Sequence, residues 1–209
     1  MTHTLHRIES DAIPERDFAI LCMASQKFND QGAGEKLKKI FNLLLDLNPD
    51  NIADDNLGGI YTGETPETIL SHMNDKAYVG VAFSEEEKLK EALRRLKEAD
   101  LGMSVVVSGN FEVVFKLLKE VGLKPHTVNM SLGTFGKTEI LPKKEVLEIT
   151  CMCGHGMVSA KHVETAMRKV KSKKRSAAEG GKDLAHSCTC GIFNPQRAEK
   201  LIEKYTKPE

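Results

Sequence analysis

The sequence predicts an α/β protein with a mixed or largely parallel sheet, helices packed on it, and a small helical C-terminal module that binds a metal through four cysteines. Two observations lead to this prediction. Between residues 17 and 132, short apolar runs typical of buried strands alternate with longer amphipathic segments typical of helices. Four of the five cysteines then fall in two C-x-C-G pairs, at 151–154 and 188–191. We therefore expect a sheet domain followed by a metal site.

The distribution of charge divides the chain near Pro142. Residues 143–209 contain 14 Lys and Arg against 8 Asp and Glu, whereas residues 1–142 contain 16 against 22. Such an asymmetry favours two regions with different surroundings. The predicted organisation is a polar N-terminal arm over 1–15, an α/β domain over 16–142 and a metal-binding module over 143–209.

The α/β domain begins with a continuous apolar run over 17–24, which predicts a buried strand. An apolar stripe at helical spacing then predicts a helix over 35–47. Residues 48–64 are rich in Asn, Asp and Gly, and we interpret them as a long connection. Thr65-Pro66 is a favourable start for a short helix that ends near Met73.

The second half of this domain continues the alternation. Three further strands are predicted at 77–84, 103–107 and 126–132. Two helices are predicted between them, at 85–100 with Ser84 as its cap and at 111–121. In the last of these, apolar and polar residues alternate as in a half-buried strand. Residues 138–150 are interpreted as an edge hairpin that leads into the first cysteine pair.

A small anionic ligand is expected at the ends of the strands. Ligands of open α/β sheets bind outside the carboxyl ends of parallel strands, so the loops 25–34, 108–110 and 133–137 should converge. The candidate binding residues are Ser108, Gly109, Asn110 and Lys137. A helix N-terminus after Asn110 would favour an anion. No dinucleotide or phosphate-loop motif is present in the sequence, and ordinary strand-to-helix turns remain the alternative explanation.

The cysteine pairs have a spacing that suits a metal. The predicted ligands are the thiols of Cys151, Cys153, Cys188 and Cys190. Tetrahedral zinc holds each sulfur at ~2.3 Å, which places two thiolates roughly 3.8 Å apart. Residues i and i+2 meet this distance if the chain turns between them. Gly154 and Gly191 permit that turn because glycine adopts positive φ without steric cost.

A histidine lies two residues outside each cysteine pair, at His155 and His186. Either could replace a cysteine and give a set of three cysteines and one histidine. Either could instead orient a ligand through a hydrogen bond, or lie exposed in a loop. The metal is predicted to be zinc, with an iron–sulfur cluster as the alternative, since thiolates suit both. Disulfides, redox thiols and inert buried cysteines are the non-metal alternatives.

Helix starts are marked clearly in the C-terminal module. Ser159 precedes one helical segment and Asn194-Pro195 another, and both are favoured capping sequences. Ser176 and Glu179 have the spacing of a capping box, but Gly180-Gly181 weakens the helix that would follow.

A basic stretch over 168–175 contains six Lys and Arg residues in eight. Such a stretch can neutralise phosphates of a nucleic acid, although without an interleaved aromatic residue it offers no base stacking. Cations at a solvated helix C-terminus are the alternative explanation, because the helix dipole favours them there.

The N-terminus lacks the apolar core of a signal peptide, and the longest clean apolar run, 18–24, is too short to span a bilayer. The sequence thus predicts a cytoplasmic protein with no membrane partner. Its expected function is metal binding at a structural four-cysteine site. An iron–sulfur redox or accessory protein and a zinc-containing nucleic-acid-binding protein are the alternatives. No catalytic signature is present, so the sequence leaves enzymatic activity and oligomeric state open.

Overall fold

The computed structural model describes residues 7, 9–131 and 133–207. Its centre is a five-stranded sheet in the order β3-β2-β4-β1-β5, in which each strand pairs antiparallel with its neighbours. The strands are β1 Phe18–Met23, β2 Asn51–Asp54, β3 Gly58–Gly59, β4 Tyr78–Phe83 and β5 Ser104–Ser108.

Eight α-helices are found in the described part of the chain. They are α1 Ala33–Leu45, α2 Pro66–His72, α3 Glu86–Ala99, α4 Phe111–Glu120, α5 Lys144–Thr150, α6 Ala160–Lys171, α7 Ala177–Ala185 and α8 Pro195–Thr206. None of these described helices combines the length and the apolar character that are needed to cross a bilayer.

The α/β class is confirmed, but the prediction of a mixed or largely parallel sheet is wrong. The strands β1 and β2 do run parallel to one another around α1, yet β4 lies between them and pairs antiparallel with both. In the same way, β4 and β5 are parallel around α3 and are separated by β1. This is the split β-α-β arrangement of ferredoxin-like folds. Strands and helices alternate along the chain both in parallel sheets and in the split β-α-β arrangement, so the alternation does not distinguish the two.

The two faces of the sheet are buried in two separate cores. Successive side chains of a strand point to opposite faces. Accordingly Phe18 and Ile20 belong to the first core, whereas Ala19 and Leu21 belong to the second. The first core is completed by apolar residues of α1 to α4, and the second by apolar residues of α5 to α8. The fold is therefore a three-layer arrangement with helices on both sides of the sheet.

The C-terminal helices form one of these layers and do not show the separate four-cysteine module that the sequence predicts. Leu184 of α7 and Leu201 of α8 share the second core with Leu21 of β1, and all three side chains are completely buried. The charge boundary near Pro142 coincides with the passage of the chain from the first helical layer to the second.

Three other segments differ from their predictions. Residues 48–64 contain β2 and β3 and are more than a connection. Residues 126–131 form no strand, since the alternating Val128 and Met130 are 45% and 66% exposed and find no apolar surface; residue 132 lies outside the described residues. The hairpin over 138–150 is replaced by a turn of 3₁₀ helix and by α5.

Most predicted helix caps are present. The side chains of Thr65, Ser159 and Asn194 each accept a hydrogen bond from the first turn of their helix. Ser84 does not cap α3, because its hydroxyl donates to the buried Asp50 carboxylate at 2.6 Å and Glu85 takes the capping position.

The capping box of Ser176 and Glu179 is formed, and α7 follows it despite two internal glycines. Gly181 lies against the start of α8, where an added Cβ would come within 2.4 Å of the carbonyl oxygen of Pro195. Gly181 lowers the intrinsic stability of α7, but the close contact between α7 and α8 leaves no space for a larger residue at this position.

Candidate metal site

The two C-x-C-G motifs lie at the ends of helices on the second face of the sheet. Cys151 ends α5 and Cys153 follows it in a turn, whereas Cys188 and Cys190 lie in the connection between α7 and α8. Gly191 has φ +73°, and a Cβ there would lie 2.5 Å from the backbone nitrogen of Ala53. The second motif is therefore pressed directly onto the sheet.

Three of the four predicted cysteine ligands are brought together, and His155 joins them. The sulfur atoms of Cys188 and Cys190 lie 3.6 Å apart, and the sulfur of Cys190 lies 3.7 Å from Nδ1 of His155. The side chains of Cys153 and Cys188 interact, and this interaction raises the pKa of Cys153. The three cysteines are at most 4% exposed. Side chains distant in the sequence thus form one continuous series of contacts.

Cys151 and His186 make other contacts. The thiol of Cys151 donates to the backbone carbonyl of Glu148 at 3.5 Å, within the last turn of α5. Nδ1 of His186 lies 2.9 Å from the carbonyl oxygen of Tyr61 and is therefore its donor. The contacts thus join Cys153, Cys188, Cys190 and His155 to one another, while Cys151 and His186 contact backbone carbonyls.

These distances match the edges of a coordination tetrahedron. Ligand bonds of ~2.3 Å for sulfur and ~2.0–2.1 Å for nitrogen give edges of about 3.8 Å between two sulfurs and about 3.6 Å between sulfur and nitrogen. Within the described residues, however, no group of three or more His, Cys, Asp or Glu side chains already surrounds a common point. The contacts run pairwise, so side-chain rotation is needed before the four donors face one ion.

The thiols differ in their affinity for a proton. The hydrogen bond from Cys188 lowers the pKa of Cys190. For Cys188, the contact with Cys153 lowers the pKa, but the bond to Cys190 and burial outweigh it and raise the pKa to about 11. The hydrogen bond to Cys188 and burial also raise the pKa of Cys153. Because the three thiols interact, they lose their protons in coupled steps.

The predicted convergence of loops at an anion site is wrong. In the antiparallel register, Met23 at the end of β1 pairs with Ser104 at the start of β5, while Ser108 pairs with Ala19. The loops 25–34 and 108–110 therefore lie at opposite ends of the sheet. The rule that ligands gather at the carboxyl ends of strands applies to parallel strands, which are not neighbours here.

The four residues of that anion site have structural contacts. Ser108 is buried at the end of β5, and a Cβ on Gly109 would lie 2.6 Å from the ring of Phe18. The side-chain oxygen of Asn110 already accepts from the backbone of Val113 and caps α4. Lys137 is exposed in the segment before α5. Anion binding by these residues stays a prediction.

The N-terminus of α1 is occupied by a carboxylate from the protein itself. Asp75 accepts backbone hydrogen bonds from Gly34 at 2.8 Å and from Gly32 at 3.0 Å. These bonds lower the pKa of Asp75. No sequence pattern indicates this contact, since the partners are about forty residues apart.

The basic stretch begins in the last turn of α6 and continues into the turn that follows. Lys171, Lys173 and Lys174 are exposed, whereas Arg175 forms an ion pair with Asp183 at 2.6 Å. The exposed lysines are compatible with both of the explanations offered by the sequence.

Comparisons of the chain with protein-family models, with curated proteins and with solved structures found no match. The function is therefore inferred from the geometry of the site.

Proposed function

We propose that this protein binds one zinc ion through Cys153, His155, Cys188 and Cys190, and that the ion has a structural role. The observation that carries the proposal is the series of contacts that joins these four side chains, at 3.6 Å between two sulfurs and 3.7 Å between sulfur and nitrogen. Three thiolates and one imidazole are a common ligand set of structural zinc sites.

Such an ion would join two turns that follow different helices. Cys153 and His155 lie after α5, and Cys188 and Cys190 lie after α7. Coordination would hold both turns against the sheet, where Gly80 and Gly191 meet. Because a set of four protein ligands leaves no open position, the site suits stabilisation better than catalysis.

An iron–sulfur cluster is the second candidate, because soft thiolates suit it as well. The contact between Cys190 and His155 favours a single ion. In a cluster, ligands of different irons are separated by the metal–metal edge, whereas here the close contacts extend over all four residues.

The exposed Lys171, Lys173 and Lys174 support a third candidate, a zinc protein that also binds nucleic acid. Binding by charge alone would weaken steeply as salt increases. A cytoplasmic location belongs to the same proposal, since the five cysteines are free and a reducing compartment keeps them available for metal.

Elemental analysis with a visible spectrum, on protein purified without oxygen, tests the proposal. We expect about one zinc per chain and a colourless solution. If the protein instead contains iron and absorbs broadly in the visible range, it binds an iron–sulfur cluster and not zinc. Protein that contains neither metal after expression in metal-supplemented medium, and that binds no added Zn²⁺, would contradict both.

Substitutions identify the ligands. We expect Cys188→Ser to lose the metal and Cys151→Ser to retain it, because the thiol of Cys151 is engaged with Glu148. Cys22→Ser is the matched control, since Cys22 is also fully buried but belongs to the first core on the other face of the sheet. Metal loss in Cys151→Ser with retention in His155→Ala would restore the four-cysteine set.

A further inference from the structure

The side chain of Arg7 reaches both of the turns that carry the proposed ligands. Its Nη2 atom donates to the carbonyl oxygen of Met152 at 3.2 Å and to that of Ile192 at 2.6 Å. Met152 lies between the two cysteines of the first motif, and Ile192 is two residues beyond Cys190. A single guanidinium group therefore connects segments that are forty residues apart in the sequence.

The same guanidinium is attached to the sheet. Arg7 forms an ion pair with Asp17, and the two side chains are 5% and 2% exposed. Asp17 immediately precedes β1 and also lies 3.9 Å from Arg197 of α8. Because Asp17 is placed by the strand, Arg7 holds the two cysteine turns at a fixed position above the sheet.

An arginine suits this position better than a lysine. The planar guanidinium presents several N–H donors in a rigid fork and can bond two carbonyls and a carboxylate together. A lysine ammonium would keep the charge without this planar geometry. Hydrogen bonds from a buried charged group are also stronger than those between neutral groups.

We infer that Arg7 is a positioning residue of the metal site. It is not a ligand; its guanidinium bonds the turn of Cys153 and the turn of Cys190 to each other and limits their relative movement. The inference rests on the proposed zinc site and adds to it Arg7, a residue that the sequence places only in a polar arm.

The test measures how fast zinc leaves the full-length protein. Zinc-loaded wild type, Arg7→Lys and Arg7→Ala are mixed with excess 4-(2-pyridylazo)resorcinol, and formation of the coloured zinc complex is followed. Groups that orient metal ligands change metal affinity by about 10- to 100-fold. We expect release from Arg7→Ala to be faster by a factor of about that size, and Arg7→Lys to restore little of the wild-type rate.

Arg16→Ala is the matched control. Arg16 lies nine residues after Arg7, but its ion pairs are with Glu9 and Glu86 at partly exposed positions. Its removal should leave zinc release unchanged.

Chemical rescue separates positioning from general stability. Millimolar methylguanidinium should slow zinc release from Arg7→Ala, because it can refill the space of the missing group, while methylammonium at the same concentration should not.

If Arg7→Ala does not fold, the release rate of Arg7→Lys is compared with that of the wild type. Release at the wild-type rate from a folded Arg7 variant overturns the positioning role and leaves the zinc site intact. A wild-type protein that takes up no zinc overturns the proposed function itself, and the positioning role with it.

Discussion

The carbonyl oxygen of Cys190 lies directly against Gly80 in the centre of the sheet. A Cβ added at Gly80 would come within 1.9 Å of that oxygen and 3.4 Å of the side chain of Ile192. Because β4 is held between β2 and β1, the cysteine turn would have to move. We expect Gly80→Ala to destabilise the fold by about 1–3 kcal/mol or more and to weaken zinc binding.

Urea unfolding and zinc content would be measured on the same preparation. Gly180→Ala is the control, since a methyl group there meets its nearest atoms at ordinary distances of 3.4 Å or more. A Gly80→Ala protein with wild-type stability and zinc content would show that the cysteine turn does not depend on this contact.

Most helices agree with their predictions because their signals are local; α5 is the exception, since its residues were interpreted as part of a hairpin. Apolar periodicity and caps such as Ser159 and Asn194 lie within a few residues of the helices they define. The direction of the strands is not local. A chain that alternates strand and helix can place its parallel strands side by side or separate them by another strand. The pairing of β4 with β1 determines which of these two sheets forms here.

The strands β2 and β3 were missed because their residues are typical of turns. Asn51, Asp54, Gly58 and Gly59 have low strand propensity. They form strands here by pairing β2 with β4 and β3, and β2 carries the completely buried Ile52 and Ala53. Tertiary packing thus outweighs the local preference.

Only the part of the metal site that depends on local motifs could be predicted from the sequence. Paired cysteines followed by glycine indicate a shared ligand, and Cys153, Cys188 and Cys190 do lie together. The sequence does not distinguish His155 from His186, because both lie two residues from a cysteine. The contribution of Arg7 depends on a contact across 145 residues, for which the sequence contains no pattern.

The contact between α7 and α8 gives a second test. Gly181→Ala places a methyl group 2.4 Å from the carbonyl oxygen of Pro195, a backbone atom that cannot rotate away. We expect a loss of about 1–3 kcal/mol in the free energy of unfolding. At the neighbouring Gly180 the same change should be neutral or stabilising by up to about 1 kcal/mol, because alanine favours helix. Equal effects at the two positions in urea unfolding would contradict the close contact.

The carboxylate at the start of α1 gives a pH-dependent test. The hydrogen bonds from Gly34 and Gly32 lower the pKa of Asp75 below its usual value of 3.8. A lowered pKa in the folded state means that the ionised form contributes stability above the unfolded pKa, and that this contribution is lost as the pH falls through the folded value. We therefore expect Asp75→Asn to lower the melting temperature at neutral pH and to match the wild type once Asp75 is protonated.

Melting temperatures measured by circular dichroism between about pH 2 and pH 7 cover this window. Asp11→Asn is the control, because Asp11 is an exposed carboxylate in the N-terminal segment outside any helix. If the difference between Asp75→Asn and the wild type is the same at both ends of the range, the charge of Asp75 does not stabilise α1.

The buried carboxylate of Glu148 has two kinds of partner that can be compared directly. It is fully buried and accepts a hydrogen bond from the hydroxyl of Tyr205 at 2.5 Å, whereas the ammonium of Lys144 lies 3.7 Å away on a side chain that is 69% exposed. Removal of a donor leaves this buried acceptor without that bond and costs about 1–3 kcal/mol. The ion pair with Lys144 contributes less, because solvent screens its exposed ammonium.

We therefore expect Tyr205→Phe to reduce the free energy of unfolding clearly more than Lys144→Ala does, with unchanged dependence on urea concentration in both. Ser10 donates to the same carboxylate at 2.8 Å, so part of the bonding remains and both variants should stay folded. Added salt distinguishes the two contacts further, since it screens the exposed lysine more strongly than the partly buried hydrogen bond between Tyr205 and Glu148. A larger loss for Lys144→Ala would mean that the surface charge, and not the tyrosine, stabilises Glu148 between α5 and α8.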